Sequence, residues 1–208
     1  MLSKPFLITN RLTKPCSSKR CVLSFLLFCS ILSGCQNARQ AEPADDSQAL
    51  YQQANESLAA GNTDLAIEQF EQVLKTDPSA EQAFTNLGLL YLSKNDNKSA
   101  KQAFFNALEQ DKDDAIAYNH LAVIQRQEGA FQQALSNYKN AIRINPDYAK
   151  AHLNLGILYD IYLQDLPEAL EQYERYQQLT ENDNETVEKW IADIKTRIQQ
   201  STDKDGYK

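Results

Sequence analysis

Cysteine is confined to the start of this 208-residue chain, at Cys16, Cys21, Cys29 and Cys35. No disulfide can therefore staple residues 36–208, and no thiolate nucleophile or cysteine metal site lies there. Glycine and proline number six each, and runs of β-branched residues are short. Such a chain has little material for tight hairpins, and it favours helix over sheet. Histidine occurs only at His120 and His152, and no glycine-rich phosphate loop or metal-ligand cluster is written in the sequence. Enzymatic chemistry and a bound cofactor are not expected on that basis. Basic charge is also unevenly distributed. Lys4, Arg11, Lys14, Lys19 and Arg20 fall in residues 1–35, which contain no Asp or Glu, so residues 36–208 keep 16 basic against 28 acidic residues, a net of −12. An acidic body repels nucleic acid and anionic lipid headgroups, so neither is an expected direct partner. Its excess charge has two readings, solubility and an acidic docking surface.

No apolar run reaches the roughly 20 residues needed to cross a bilayer. The longest, Val22 to Leu32, follows the basic Lys14–Arg20 segment and has the length of a signal-peptide core. It ends in Leu32-Ser33-Gly34-Cys35, which resembles the lipobox of bacterial lipoproteins. The resemblance implies that residues 1–34 are a cleaved signal peptide and that Cys35 carries acyl chains. Gln36 replaces the Asp that in this family commonly retains the protein at the inner membrane. Routing to the outer membrane, facing the periplasm, is implied. Residues 35–46 then read as the lipidated cysteine and a polar tether, with Pro43 and no apolar periodicity.

The rest of the chain repeats itself. Phe84, Tyr118 and His152 are 34 residues apart, as are Leu87, Leu121 and Leu155, and Gly88, Ala122 and Gly156. Ala100 with Ala134, Phe104 with Tyr138, and Ala107 with Ala141 keep the step, and Ala66, Phe70 and Pro78 belong to an earlier copy. The pattern resembles the tetratricopeptide (TPR) family, whose 34-residue units carry an aromatic, Leu-Gly, Tyr, Ala, Phe and Pro. The resemblance implies an all-α helical-hairpin solenoid of about four units over 47–183, divided as 47–80, 81–114, 115–148 and 149–183. Gly61, Asn95 and Gly129 fall at the turns within units. Pro78 and Pro146 are placed to end the second helix of a unit. One extra residue near Gln164–Pro167 shifts Ala169 and Tyr173 one place late. The aromatics Phe70, Phe104, Tyr138 and Tyr173 are expected to fill the space between helices.

Residues 184–208 are read as a capping helix and tail. Val187, Trp190, Ile191, Ile194 and Ile198 form one apolar stripe over Glu185–Gln199. An exposed array end must be covered, so the stripe is expected to pack on the last unit. Contact of Trp190 with a partner is the alternative. Ser201–Lys208 reads as a frayed tail.

By resemblance, the concave face of such an array holds peptide segments of other proteins. The sixth places of the units are Gln52, Asn86, His120 and Asn154, a column able to hydrogen-bond an extended peptide backbone. Thr85, Asn119, Leu89, Val123, Ile157, Arg126 and Lys150 lie beside it, Leu89, Val123 and Ile157 as an apolar strip. Solvated polar residues and packing between first helices are the bland alternatives for the two columns. Asn86 and Asn154 are not expected to fill the core. His152 stands at an aromatic packing place and is expected to serve the core. The set of cations with which some TPR domains clamp a terminal carboxylate is absent. These features together resemble the TPR lipoproteins that act as pilotins, Tad pilus assembly lipoproteins and envelope adaptors. They imply a lipid-anchored interaction scaffold whose partners are other envelope proteins. An adaptor for peptidoglycan hydrolases is the second reading.

Overall fold

The computed structural model describes residues 43–181 and 184–205, and every regular element among them is helical. The helices pair into successive hairpins. They are α1 (Pro43–Ala59) with α2 (Thr63–Thr76), α3 (Glu81–Ser93) with α4 (Asn97–Gln110), and α5 (Ala115–Gln127) with α6 (Phe131–Ile144). The fourth pairs α7 (Ala149–Ile157), prolonged by a π-helical turn over Leu158–Leu163, with α8 (Leu166–Leu179). A last helix, α9 (Glu185–Asp205), follows. The lipobox and Cys35 lie outside the described residues. The first helix begins at Pro43, inside the segment read as tether. Proline suits a first helical position because the N–H it lacks has no partner there.

Within each hairpin a large ring from the second helix rests on a small residue of the first. A Cβ added at Gly88 would stand 2.5 Å from the Phe104 ring, and one at Gly156 would stand 2.6 Å from the Tyr173 ring. Ala122 and Tyr138 are buried in one cluster in the third hairpin. Phe70, Phe104, Tyr138 and Tyr173 are all essentially inaccessible to solvent. The core is thus a series of clusters along the array. The first is built around Phe70 and Leu87, the second around Phe104 and Leu121, and the third around Tyr138, Leu155 and Tyr173.

The turns repeat as faithfully as the core. Gly61, Asn95 and Gly129 hold positive φ angles of 77°, 60° and 79°. The next amide in each turn closes the helix end by donating five residues back: Asn62 to Ser57, Asp96 to Tyr91, Ala130 to Gln125. This is the geometry that satisfies orphan carbonyls at a helix end. In the fourth hairpin the closing bond runs six residues back, from Asp165 to Tyr159, with Gln164 left-handed. The extra residue is therefore absorbed as a π turn, and the hairpin still closes.

Between hairpins the stop signal is an aspartate or asparagine. Oδ1 of Asp77, Asp111 and Asn145 accepts the backbone N–H two residues on, at Ser79, Asp113 and Asp147. Pro78 and Pro146 follow these residues, but α4 ends at the same place with Lys112 in the proline position. The side-chain-stabilised turn, which competes with helix at these residues, is the common device.

The helix α9 repeats the packing of a first helix. Its third and tenth residues, Val187 and Ile194, are buried as Ala83 and Leu90 are in α3. Asn184 fixes its start: Oδ1 accepts from Thr186 and Val187 N–H, and Nδ2 donates to the Tyr176 hydroxyl. Lys195 pairs with Glu174 and Arg197 with Asp160 along its flank. The helix continues to Asp205, past the point where the sequence reads as tail, with Ser201 and Thr202 hydroxyls donating to the Ile198 carbonyl.

Two measurements test this packing. Gly88→Ala drives a methyl into the buried Phe104 ring. It is expected to lower unfolding stability by about 1–3 kcal/mol in denaturant titrations. Deletion from Glu185 onward uncovers the side chains beneath Val187, Ile191, Ile194 and Ile198. It is expected to lower stability by on the order of 5 kcal/mol and to promote association at raised concentration. An unchanged melting temperature after that deletion contradicts the capping role.

Candidate functional site

Asn86, His120 and Asn154 are the sixth residues of α3, α5 and α7, so the hairpin repeat carries them along one side of the array. Their side chains do not stand free. Asn86 Nδ2 donates to the Tyr51 hydroxyl (2.9 Å), and Asn154 Nδ2 donates to Asn119 Oδ1 (3.0 Å). Each reaches the fifth residue of the preceding unit. His120 instead stacks on Phe104, with ring centroids 5.6 Å apart and planes 12° from parallel. Burial, reinforced by the Lys150 ammonium, holds its imidazole below the usual histidine range, while Asp114 pulls the other way. Near neutral pH it is thus an uncharged member of the column.

Fifth-place residues bond instead to the last residue of their own unit. Thr85 Oγ1 donates to the Asp114 carboxylate, and Asn119 Nδ2 donates to the Tyr148 hydroxyl (3.4 Å). Both acceptors lie 29 residues on, at the residue preceding the next first helix. Thr85 and Asn119 are both buried; Asn119, at 1% exposure, does not line an open groove as the sequence suggests, whereas Thr85 lines the cleft beside Asn86. Their polar atoms are satisfied inside the array, as burial requires.

The apolar strip is half-buried. Leu89 packs on the second core cluster, and Val123 and Ile157 pack on the third. Arg126 is committed too: its guanidinium lies 5.7 Å over the Tyr162 ring and its Nε 3.4 Å from the Tyr138 hydroxyl. Lys150 and Gln52 remain exposed. Asn86 and Asn154 each spend one of the four hydrogen bonds their amide can make. Among the described residues their Oδ1 atoms accept no hydrogen bond, and one amide N–H of each is unused. An alanine at either place now carries a stability cost as well, since it removes a bond between units.

Two open clefts adjoin the column. One of about 510 Å³ is lined by Tyr51, Gln52, Asn55, Glu81 and neighbouring residues. The other, about 570 Å³, shares Tyr51 and Glu81 and adds Asn86, Ile116 and the carboxylates of Asp111, Asp113 and Asp114. No Lys or Arg lines the second cleft. The acidic rim was not singled out from sequence. Its carboxylates sit in turns between units, where they read as ordinary helix caps.

His152 fills its expected core place. Its Nε2 lies 3.0 Å from the Pro146 carbonyl and its Nδ1 lies 2.9 Å from the Gln172 side-chain amide. Both ring nitrogens are thereby engaged in structure. Among the described residues no group of three His, Cys, Asp or Glu is placed to hold a metal ion. No described helix is long and apolar enough to cross a membrane.

Comparison with known proteins agrees with this geometry. A tetratricopeptide repeat model matches residues 51–115 and 85–136, and a second TPR repeat model matches residues 124–160. Superkiller complex protein 3 of Mus musculus is 29% identical over 99 residues, 48% of this chain and 6% of that protein. The chain therefore spans a small part of that curated relative. Among solved structures, Pseudomonas aeruginosa PilF superposes with a TM-score of 0.65 at 21% identity, over 76% of this chain and 71% of that one. An O-GlcNAc transferase of Thermobaculum terrenum gives a TM-score of 0.60 at 21% identity, over 67% of this chain but 27% of the enzyme. These two likenesses are of fold, and the transferase match lies within its repeat region. The repeat models together cover 51–160, more than half of the chain, and the chain belongs to the tetratricopeptide-repeat proteins, whose stacked hairpins form scaffolds for protein–protein interaction.

Proposed function

We propose that the protein is a lipid-anchored adaptor of the bacterial envelope that holds an extended segment of a partner protein along its sixth-place column. The observation that carries the binding role is the unused amide capacity of Asn86 and Asn154 on one repeating side of the array. Each still offers an acceptor and a donor, the pair that a peptide unit presents in reverse. Backbone recognition of this kind tolerates many side-chain sequences, which suits an adaptor.

Support for anchoring comes from the lipobox at Leu32–Cys35. Seven residues separate Cys35 from Pro43, a reach of at most about 29 Å over eight steps. The array is thereby held against the periplasmic face of the outer membrane. Several acyl chains secure it, each buried CH₂ contributing about 0.8 kcal/mol. A role in assembling a pilus or secretion complex follows from the resemblance to pilus-associated TPR lipoproteins. The shared fold with PilF is compatible with it.

Cys35→Ala is expected to abolish incorporation of labelled palmitate and to leave the leader uncut. Labelling that persists in this variant refutes the anchor. For the column, a partner is recovered from envelope extract with the intact protein and titrated against Asn86→Ala, Asn154→Ala and the double variant. One lost hydrogen bond weakens binding by up to about tenfold, and the pair weakens it roughly multiplicatively. Each single change also lowers stability by about 1 kcal/mol, through the lost bond to Tyr51 or Asn119. Unchanged affinity in a folded double variant removes the column from recognition. Co-purification of pilus components, as opposed to peptidoglycan hydrolases, distinguishes the two envelope roles.

A further inference from the structure

The sixth residue of α9 is Trp190. Its place in the packing matches that of His120. His120 sits against Phe104, the ring contributed by the second helix of the preceding unit, and Trp190 sits 5.5 Å from Tyr173, the corresponding ring of the fourth hairpin. The buried third and tenth residues of α9 confirm the register. The capping helix is thus the first helix of an incomplete fifth unit, and the column runs Asn86, His120, Asn154, Trp190. The step from Asn154 to Trp190 is two residues longer than the repeat. One residue is absorbed by the π turn and the other precedes α9, so the spacing conceals the alignment in the sequence. Trp190 stays 37% exposed, and among the described residues its indole N–H donates to nothing.

Charge indicates what covers it. Glu81, Asp111, Asp113 and Asp114 surround the cleft at the other end of the column, and none of them joins an ion pair among the described residues. Residues 36–208 carry a net charge of −12. Lys150 is the remaining exposed cation among the groove residues, since Arg126 is turned onto Tyr162. An indole face attracts ammonium and guanidinium groups more strongly than any other aromatic side chain does.

We infer that the groove extends onto the capping helix and takes a basic extended segment of a partner protein, with one lysine or arginine seated on the Trp190 indole and others facing the carboxylates beside Tyr51. The inference rests on the proposed column and adds to it the partner's charge and the groove's far end.

Trp190 is the chain's sole tryptophan, so the intact protein reports on its own groove. The probes are three acetylated, amidated twelve-residue peptides of repeating Lys-Ser-Leu, Gln-Ser-Leu and Glu-Ser-Leu, each reaching about 40 Å when extended. Their binding is read by anisotropy of a labelled copy, and the indole response by emission of the unlabelled mixture. The lysine peptide is expected to bind at least tenfold tighter than the glutamate peptide and to shift Trp190 emission. Trp190→His, which installs the residue of the equivalent place in α5, is expected to weaken the lysine peptide about five- to tenfold without altering the melting temperature much. Binding that falls in the Asn86/Asn154 double variant, yet leaves emission and the Trp190→His affinity unchanged, overturns the extension while sparing the column. Equal affinity for lysine and glutamate peptides overturns the basic partner. Binding of none of the peptides, or binding indifferent to both sets of variants, removes the column and the inference together.

Discussion

The seat of an aromatic ring on a small residue of the facing helix is the contact from which the rest of the structure follows. Phe104 and Tyr173 lie so close to Gly88 and Gly156 that one added carbon fits at neither place. That approach sets the distance between the two helices of a hairpin. It also fixes which faces remain apolar and uncovered, and so what the next hairpin must bury. The rings are the largest fully buried side chains, and each serves only its own unit and a neighbour.

On this frame, polar side chains do a second job. Sixth-place residues join consecutive units through Asn86–Tyr51 and Asn154–Asn119, and fifth-place residues tie each unit to the residue just before the next first helix through Thr85–Asp114 and Asn119–Tyr148. An amide can take part in such a joint and still present an acceptor and a second N–H to a guest, whereas a hydroxyl spent on a carboxylate offers less. That difference separates Asn86 and Asn154 from Thr85. Burial separates them from Asn119, which accepts from Asn154 and donates to Tyr148.

Most of the architecture was legible because the repeat writes the same packing several times. Glycine and alanine opposite an aromatic, at a 34-residue step, are visible without any structure. The turns within units were equally clear at Gly61, Asn95 and Gly129. What the sequence concealed has physical reasons. Whether Asn119 faces a groove or a joint depends on Tyr148, 29 residues away, and no periodicity encodes that pair. The aspartates and asparagine that stop α2, α4 and α6 have no fixed residue after them, so the prolines attracted notice instead. Local hydroxyl-to-carbonyl bonds carry α9 past Ser201, where composition alone reads as tail. The insertion in the fourth unit was seen, but its resolution as a π turn that preserves the register of the following helix was not.

Because joints exist only between adjacent units, the array bears mechanical load in series. A pull applied between its first and last helices places the same tension on every joint, and the weakest opens while the others hold. The joint between the second and third units couples its sixth-place residue by ring stacking of His120 on Phe104, where its neighbours use amide bonds. A guest lying along the column from Asn86 onward spans that joint and those beyond it, and so shares the tension in parallel with them. The segment that such a scaffold holds is then also a brace that stiffens it against being drawn apart.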